Sequence, residues 1–486
     1  MPKDYSAYSA DLMKSLIAKL YATVTGADEN VKIPRNKFVS WLLPGVPFIP
    51  EDFLYCAKGF SGADEQQKKD RYHQAFVLSH LLDFIPDVDN QFIDNTLQQT
   101  IFTGTEDTIS SVYGDVLKYS RVVHKELSKE EKEKLQHFRD LLSVTKEEED
   151  LITGEKKTVT EPGPLTIAYN TYMNNYLDEV DDYVNFLVSA TADEIALKTK
   201  YIRKKMEAAE MAWVAQGYKN EYEQMTAYIN QVTAMDMVLY KQDLLNKYNN
   251  GRLTSALDGA SDFFYTTLIP GNFATSPGWT DFDFGERDYE SHYDKETSQW
   301  GGSGGLNLGF FSIGGSAGGS KVEVNTDFKA TNFSAKLKFT QVPICRPWFE
   351  PGFFTMRGWT LDKLWDLNFD KKVSDGAGGR PVGRLVAYPV TALFVKEVAL
   401  TFNEADARMQ YKDSQFHAGG SFSWGPLSLG GSYSRGQEKM DVKSHTEYGG
   451  IVVEGMQLIG FICNLIPKSP NPKPELKPED FVGGAQ

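Results

Sequence analysis

The order of apolar and polar residues divides this chain into two parts with different periods. In the first part, apolar side chains recur every three or four residues, as on the buried face of a helix. The first such stripe consists of Met13, Leu16, Ile17, Leu20 and Val24. From about residue 270 onward, apolar and polar residues alternate, which predicts strands with one buried face. The predicted class is therefore α+β, with a helical N-terminal part followed by a mostly antiparallel β domain.

Several segments of the helical part carry start or stop signals. Ser128 and Glu131 have the spacing of a capping box, and Thr105 precedes acidic residues that suit the first turn of a helix. Residues 150–162 predict a small β-hairpin, and the prolines within residues 42–52 predict an extended link. After the hairpin, apolar residues at spacings near 3.5 predict long, bundle-like helices that pack at shallow angles.

Changes in composition suggest the domain boundaries. Glycine becomes frequent after Gly251, and the last residues are rich in proline and charge. These changes predict a helical domain over residues 1–265 and a Gly-rich antiparallel β domain, of the sandwich type, over residues 266–466. An extended Pro-rich tail is expected over residues 467–486.

The β domain contains a weak internal repeat. Residues 304–324 read GGLNLGFFSIGGSAGGSKVEV, and residues 419–442 read GGSFSWGPLSLGGSYSRGQEKMDV. Cys345 and Cys463 follow the two segments at the same distance. The ordered matches predict two copies of one β unit, about residues 300–346 and 416–464. The two cysteines are expected to be free thiols, with a disulfide between them as the alternative.

The glycine- and serine-rich hairpins of the repeat are candidate surfaces for a membrane or a protein partner. Small polar residues opposite aromatic ones are typical of membrane-inserting hairpins, although the apolar band is shorter than the ~9–11 residues of a spanning strand. A soluble sheet, in which glycine allows strong twist, is the alternative interpretation. The apolar members of the two hairpins are Leu306, Leu308, Phe310, Phe311, Ile313, Phe422, Trp424, Leu427, Leu429 and Tyr433.

The densest aromatic stretch spans residues 342–360. Its large side chains have two interpretations, since they either line a binding pocket or fill the core, and proline-flanked aromatic clusters favour the core. The residues concerned are Trp348, Phe349, Phe353, Phe354 and Trp359.

The sequence offers little for catalysis. The seven histidines lack metal-site spacing, and the GxSxG segments lack the strand–turn–helix context of a hydrolase serine. Alternation places Phe282 and Phe284 inward and the nearby carboxylates in solvent. These carboxylates, the basis of a hydrolase alternative, are Asp281, Asp283, Glu286, Asp288 and Glu290. No catalytic residue, metal site or cofactor is therefore predicted, and the chain is not expected to be an enzyme.

The net charge and the N-terminal residues indicate which partners and which cellular location to expect. The formal net charge of −15 argues against nucleic-acid binding, because phosphates repel an acidic surface. The N-terminal residues lack the apolar core of a secretory signal, so we expect a cytoplasmic protein or one released without a classical signal peptide.

The leading functional hypothesis is a non-enzymatic binding or assembly protein. It is expected to form a homo-oligomer, or to bind a protein partner, through its helical part and its Gly-rich β edges. One alternative is a membrane-active, pore-forming toxin-like protein whose Gly/Ser-aromatic hairpins insert into a bilayer. The other is the carboxylate-dependent hydrolase.

Overall fold

The chain folds into two compact units, which do not follow the predicted domain boundaries. The β unit comprises Met1–Arg121, Leu244–Leu476 and Gly483–Gln486, and the helical unit comprises Val122–Asp243 and Lys477–Val482. The computed structural model describes residues 6–25, 36–60, 64–86, 88, 99–101, 107–124, 128–149, 156–189, 192–254, 261–289, 310–316, 319–325, 329–331, 333–369, 372–377, 381–401, 421–435, 438–447 and 450–484.

Helices and strands occur in both units. The helices whose two ends are described are α1 (Ser9–Thr25), α2 (Leu54–Lys58), α3 (Glu65–Leu82), α4 (Ile109–Tyr119), α5 (Lys129–Leu142), α6 (Pro164–Ser189), α7 (Ala192–Ala215), α8 (Lys219–Met235), α9 (Met237–Asn250) and α10 (Lys363–Asn368). The strands are β1 (Ser6–Tyr8), β2 (Lys37–Phe48), β3 (Gln99–Ile101), β4 (Ser120–Val123), β5 (Ser143–Glu149), β6 (Lys156–Pro162), β7 (Arg252–Thr254), β8 (Asp262–Phe264), β9 (Thr267–Leu268), β10 (Thr280–Phe284), β11 (Phe310–Ser316), β12 (Gly319–Asn325), β13 (Lys329–Thr331), β14 (Ser334–Cys345), β15 (Trp359–Leu361), β16 (Ala387–Thr401), β17 (Ser421–Trp424), β18 (Leu427–Arg435), β19 (Glu438–Val442), β20 (Ser444–Glu447), β21 (Gly450–Leu465) and β22 (Phe481–Val482).

An eight-stranded sheet forms the centre of the β unit. Its strands lie in the order β10-β14-β16-β21-β2-β3, with β9 paired to β14 and β20 paired to β21. The pairs are antiparallel except for β2 and β3, which run parallel. Together with the long helices, this sheet confirms the predicted α+β class.

The first part of the segment predicted as an extended link lies in β2, an inner strand of this sheet, and the last part forms a 3₁₀ turn at Pro50–Phe53. β2 lies between β21 and β3, and its residues Phe38, Val39 and Trp41 are fully buried. Its pairing with β21 shifts between Trp41 and Val46, and Pro44 lies in this irregularity, where the ladder needs no N–H donor. The N-terminal part therefore supplies a strand to the β unit, which explains why the predicted boundary at residue 265 divides the chain differently.

Helix α1 forms one side of the main core. The predicted stripe is confirmed, since Met13, Leu16, Ile17, Leu20 and Val24 are all buried. These side chains pack in one cluster with residues of several strands, which include Trp41, Phe282, Leu337, Val395, Trp424 and Ile459. Burial of each large apolar side chain stabilises the fold by about 2 kcal/mol, so the helix is fixed to the sheet by apolar contact.

The internal repeat corresponds to two hairpins of a second, five-stranded sheet. Its order is β12-β11-β17-β18-β19, so the hairpins β11–β12 and β18–β19 lie on either side of β17. Each pair in this sheet is antiparallel. Strands β11 and β18 therefore run in the same direction, and the two copies are related by a shift across the sheet. Cys345 and Cys463, which follow the copies, are free thiols.

The helical unit contains α5 to α8, the first part of α9 and the hairpin β5–β6. The predicted capping box is confirmed, because the Ser128 and Glu131 side chains each bond the other residue's backbone N–H. α5 ends at Leu142 and the first hairpin strand begins at Ser143, so the hairpin starts earlier than the predicted residue 150. The predicted turn at Thr153, Gly154 and Glu155 lies outside the described residues. The helices then pack through aromatic side chains, such as Tyr169 with Tyr222 at 3.9 Å between ring centroids.

Two other expectations need correction in detail. The helix α4 is capped by Thr108, whose hydroxyl accepts a hydrogen bond from the backbone N–H of Ser111, whereas the predicted cap, Thr105, lies outside the described residues. The predicted C-terminal tail is anchored within each unit: Ser374 and Ser469 pair their backbones in the β unit, and Phe481 pairs with Val123 in the helical unit. The prolines of this tail lack an N–H donor but keep carbonyls that can accept hydrogen bonds, and a short 3₁₀ turn forms at Pro478–Asp480.

Candidate functional site

The apolar residues of the second candidate hairpin lie in the main core. Trp424, Leu427 and Leu429 are fully buried, and Phe422 is partly buried against the same cluster. The tight turn between β17 and β18 depends on Gly425, whose φ is +52°. A Cβ atom at this position would lie 2.7 Å from Cγ of Met13, so only glycine fits both the turn and the close approach of α1.

A buried set of hydrogen bonds, which we call the hairpin latch, holds the same turn to β2 and β21. The latch consists of Gly45, Pro426, Ser428 and Gln457. The Gln457 amide accepts from the Ser428 N–H at 2.7 Å and donates to the Ser428 carbonyl at 2.7 Å. The Ser428 hydroxyl donates to the Gly45 carbonyl at 2.6 Å, and the Gly45 N–H donates to the Pro426 carbonyl at 3.0 Å. The turn is thus fixed by polar bonds as well as by apolar burial.

The first candidate hairpin is described by its backbone pairing. Phe310, Phe311 and Ile313 lie in β11, which pairs with β12 on one side and β17 on the other. Tyr433 lies in β18 and pairs with Met440. Leu306 and Leu308 lie outside the described residues.

These positions bear on the membrane hypothesis. Insertion of the β17–β18 hairpin into a bilayer would withdraw Trp424 and Leu427 from the main core and break the hairpin latch. The cavity left in the core and the polar groups left without partners would both oppose this step. Membrane insertion stays a prediction, and it would require a rearrangement of the β unit.

The predicted aromatic cluster also lies in the interior of the β unit. Trp348, Phe349, Phe353, Phe354 and Trp359 are all buried. Their rings contact one another; the closest pair is Phe353 and Trp359, whose centroids are 4.6 Å apart. The Trp348 indole N–H donates to the Tyr265 carbonyl at 2.9 Å. This packing favours the core interpretation over a pocket lined by these side chains.

Buried tyrosines make the stability of the β unit sensitive to alkaline pH. The Tyr55 hydroxyl donates to the Thr266 carbonyl at 2.8 Å, and the Tyr248 hydroxyl donates to the Ser110 carbonyl at 3.1 Å. Burial holds the pKa of Tyr55 well above its usual value and raises the pKa of Tyr248 to about 12. Both phenols therefore remain protonated hydrogen-bond donors over the physiological range.

We expect the free energy of unfolding to fall as the pH rises from about 10 to about 12. In this range the unfolded chain releases phenol protons that the folded chain retains, so the stabilisation is complete below pH 10 and is lost through the folded pKa. Urea titrations at several pH values measure this slope. Tyr248→Phe should make it shallower, because the variant lacks the phenol proton that the folded chain retains. A wild-type curve that is flat across the range would contradict the expectation.

The carboxylates of the hydrolase hypothesis lie on an exposed face. Alternation in β10 is as predicted, with Phe282 buried and Asp281 and Asp283 exposed. Asp281 and Asp283 lie opposite Lys338 and Lys336 of β14. In the same region Asp288 forms an ion pair with Lys19 at 2.7 Å, and Glu290 lies outside the described residues. Lys336 also lies 3.9 Å from Asp283, and the hydrolase hypothesis stays a prediction.

Sequence analysis missed a second apolar face on α7. The inner face of this helix packs through Trp213, whose ring centroid lies 5.3 Å from Tyr169 and 5.7 Å from Tyr176. The opposite, exposed side carries a stripe at steps of three and four residues, which we call the outer α7 face: Tyr201, Lys204, Ala208, Met211 and Ala215. Steps that alternate between three and four residues are the spacing of a coiled-coil seam. This spacing is already visible in the sequence.

The outer α7 face exposes large side chains. Tyr201 is 66% exposed and Met211 is 65% exposed. Just beyond the helix, Tyr218 adopts the left-handed φ of 52° and is 48% exposed, a conformation that is uncommon for a residue with a Cβ. Elsewhere in the helical unit, Ile167 and Leu177 of α6 are also exposed.

The side chains that the structure describes in the helical unit include few large, buried apolar ones. Within its described helices, the large apolar side chains that are buried are Leu135, Met225 and Val232. The remaining contacts are half-buried aromatic pairs, such as Phe138 with Tyr228 at 5.3 Å. Burial of an additional apolar face would stabilise this unit.

Membrane-spanning helices and metal sites are the other features that bear on function. In the portion of the chain that the structure describes, no helix combines the length and apolarity needed to cross a bilayer. Within that same portion, no group of three histidine, cysteine or acidic side chains is arranged to hold a metal ion. The chain matches no protein-family model, no curated protein and no solved structure.

Proposed function

We propose that this protein is a non-enzymatic assembly protein that pairs with a second copy of itself through the outer α7 face. The observation that carries the proposal is the exposed stripe centred on Ala208 and Met211. Isolated exposed apolar residues are common on soluble proteins, but Tyr201, Ala208, Met211 and Ala215 share one helix side at coiled-coil spacing, which is typical of a helix–helix interface.

The charges along α7 favour an antiparallel pair of identical helices. The outer side carries Lys198, Lys204 and Lys205 before Glu207 and Glu210 in chain order. A parallel pair would place the lysines of the two copies together. An antiparallel pair separates the lysines of the two copies along the helix axis and satisfies twofold symmetry, in which the same surface serves both copies.

The small residues of the stripe suit this arrangement. Ala208 and Ala215 allow two helix backbones to approach closely, and antiparallel pairing sets Ala208 against Met211 and Tyr201 against Tyr218. Large side chains then meet small ones at the centre, and tyrosine pairs close the ends. The predicted contact of Gly-rich β edges is a separate proposal, which rests on β12 and β19 as the outer strands of the five-stranded sheet.

The mass of the full chain in solution tests the proposal. Light scattering over a range of concentrations should give twice the chain mass of 54.6 kDa for the wild type. Met211→Asp should give a monomer, because a buried unpaired carboxylate at the centre of the interface is costly. Leu367→Asp is the matched control, since Leu367 is 80% exposed on α10 of the β unit, and it should remain a dimer. A wild-type monomer, or a dimer that survives Met211→Asp, would refute the interface.

Cysteine substitution then tests the orientation. In an antiparallel pair centred between Ala208 and Met211, the two Tyr201 positions are separated by about 17 residues of helix, or roughly 25 Å. Oxidised Ala208→Cys should therefore cross-link to itself, whereas Tyr201→Cys should not. The unsubstituted chain, with its three native cysteines, is the control. Cross-linking of both variants would indicate a parallel pair.

A further inference from the structure

Strand β12 forms one side of the five-stranded sheet, and it spans Gly319–Asn325. Among the strands that the structure describes, β12 pairs only with β11. The strand at the opposite side of this sheet, β19, lies against β2 and β21 of the eight-stranded sheet. An edge strand presents a row of backbone N–H and C=O groups with which another strand can pair. In this sheet, β12 is therefore the strand to which a further strand can be added.

The pairing of β12 with β11 fixes which of its backbone groups point to the outer side. Ser316 and Gly319 pair across a two-residue loop, and the register continues along both strands without a shift. The residues beside such a loop bond each other, and from there bonded and non-bonded pairs alternate. The β12 residues that bond β11 are therefore Gly319, Lys321, Glu323 and Asn325. The residues whose N–H and C=O groups point away from β11 are Ser320, Val322 and Val324.

A second copy of β12 fits this outer side when the two strands run antiparallel about Val322. A twofold axis at this residue sets Val322 against its own copy and Ser320 against Val324 of the other copy. Outward-pointing groups then meet outward-pointing groups. Each of these pairs exchanges two bonds, which gives about six hydrogen bonds across the contact. The backbone pattern of β12 is thus complementary to itself, as a twofold contact requires.

The charges of β12 favour this register over the neighbouring ones. An axis at Val322 places Lys321 of each copy directly opposite Glu323 of the other, and opposite charges in such positions stabilise an antiparallel pair. An axis at Lys321 would set the two lysines against each other, and an axis at Glu323 would do the same with the two glutamates. Both of these registers also contain fewer bonded pairs. Charge and hydrogen bonding therefore select the same arrangement.

We propose that β12 pairs with β12 of a second copy, antiparallel about Val322, and so joins two five-stranded sheets into one continuous sheet. A lysine on an edge strand commonly prevents pairing, but in this register Glu323 of the other copy supplies the opposite charge to Lys321. The role of this contact rests on the proposed assembly function, to which it adds a second twofold interface beside the outer α7 face. Two different twofold interfaces on one chain build a closed tetramer or an open filament.

Sedimentation velocity of the full chain at increasing concentration tests this inference. A contact of one short strand buries little surface, so it should form at concentrations above those of the light-scattering measurement, where the wild type should grow beyond the dimer. Lys321→Glu and Glu323→Lys should each shift this growth to a roughly tenfold higher concentration or more, because like charges then face each other. An equimolar mixture of the two variants should regain growth, since each variant carries the charges that complement the other.

A backbone variant supplies a second readout. Val322→Pro removes the outward N–H at the axis but no bond to β11, and it should abolish growth beyond the dimer. Val322→Thr keeps this N–H, so it is the matched control and should grow as the wild type does. If Val322→Pro does not fold, the charge variants alone decide.

Failure of the outer α7 face and failure of the β12 contact give different results. Without the α7 contact, the dilute wild type is a monomer and the concentrated wild type is no larger than a dimer. Without the β12 contact, the wild type keeps one mass at every concentration. That result, growth that neither charge variant reduces, or a mixture of the two that does not regain growth would overturn the β12 proposal.

Discussion

Gln457→Leu is expected to lower the free energy of unfolding of the β unit by about 3 kcal/mol. The leucine fills the same volume but makes neither bond to Ser428, at 2.7 Å each in the wild type. The N–H and the carbonyl of Ser428 would then be buried without partners, and each unsatisfied backbone group costs about 1–3 kcal/mol. This exceeds the gain from a more apolar side chain.

Two further variants test whether the loss of stability comes from the hydrogen bonds of the hairpin latch. Ser428→Ala removes only the hydroxyl bond to the Gly45 carbonyl and should cost about 1 kcal/mol. Gln66→Leu, at an exposed site of α3, should change stability by less than about 0.5 kcal/mol. Urea unfolding followed by tryptophan fluorescence reports the β unit, which contains all the tryptophans except Trp213. Equal stability of Gln457→Leu and Gln66→Leu would show that the hairpin latch contributes nothing to folding.

The same variant bears on the membrane hypothesis. If the β17–β18 hairpin leaves the core on a bilayer, a weakened hairpin latch should increase leakage from liposomes. The assembly proposal predicts no leakage from either the wild type or Gln457→Leu. Dye release by the wild type that rises in this variant would favour insertion over assembly as the function.

Arg346→Met is expected to destabilise the β unit by about 2 kcal/mol. The guanidinium is buried and donates to the Pro389 carbonyl at 2.7 Å and the Leu82 carbonyl at 2.8 Å. Burial lowers the pKa of Arg346 to about 10, so the side chain is still charged at neutral pH. This burial of charge costs about 3 kcal/mol, but two charge-assisted hydrogen bonds contribute about 1.5–3 kcal/mol each. The bonds should therefore outweigh the cost of burial.

The control for this variant is another arginine that bonds a carbonyl. Arg357 is exposed and donates to the Asn471 carbonyl at 3.2 Å, so Arg357→Met should cost less than about 1 kcal/mol. Arg346→Lys should remain destabilising, because a single ammonium group cannot reproduce the planar fork that reaches both carbonyls. A more stable Arg346→Met variant would show that the cost of burying the charge exceeds the benefit of its bonds.

Features that depend on nearby residues were predictable. The buried stripe of α1, the capping box of Ser128 with Glu131 and the alternation of Phe282 with the exposed aspartates all appear as expected. Each follows from the period of a helix or strand, or from a bond across three residues. The repeat likewise indicated two hairpins, because similar local sequences form similar local structures.

Features that depend on contacts between residues far apart in the chain were not predictable from the local sequence pattern. The hairpin latch joins Ser428 to Gln457, 29 residues away, and to Gly45, 383 residues away. Nothing in the local pattern indicates these partners. The prolines of β2 argued against a central strand, and only the irregular pairing with β21 shows how the sheet accommodates Pro44.

The candidate sites likewise combine features that the sequence shows with features that only packing decides. The heptad spacing from Tyr201 to Ala215 is present in the sequence, but the spacing of Ile202, Met206, Ala209 and Trp213 on the same helix is equally helical. Tertiary contacts decide which of these two faces is covered, because burial depends on what packs against the helix. Similarly, the sequence of β12 does not show its place in the fold, and only the order of the strands in the five-stranded sheet puts it at one side.

The sequence by itself determined the α+β class, the period of each main element and the presence of a repeated β-hairpin. Period and capping are short-range properties, since they arise from backbone geometry and from contacts within one or two turns. The tertiary structure alone decided which strands are neighbours, which aromatic residues are core, which helix face remains exposed and which strand lies at the side of a sheet. These are long-range properties, because each depends on the surface that a residue meets after the whole chain has packed.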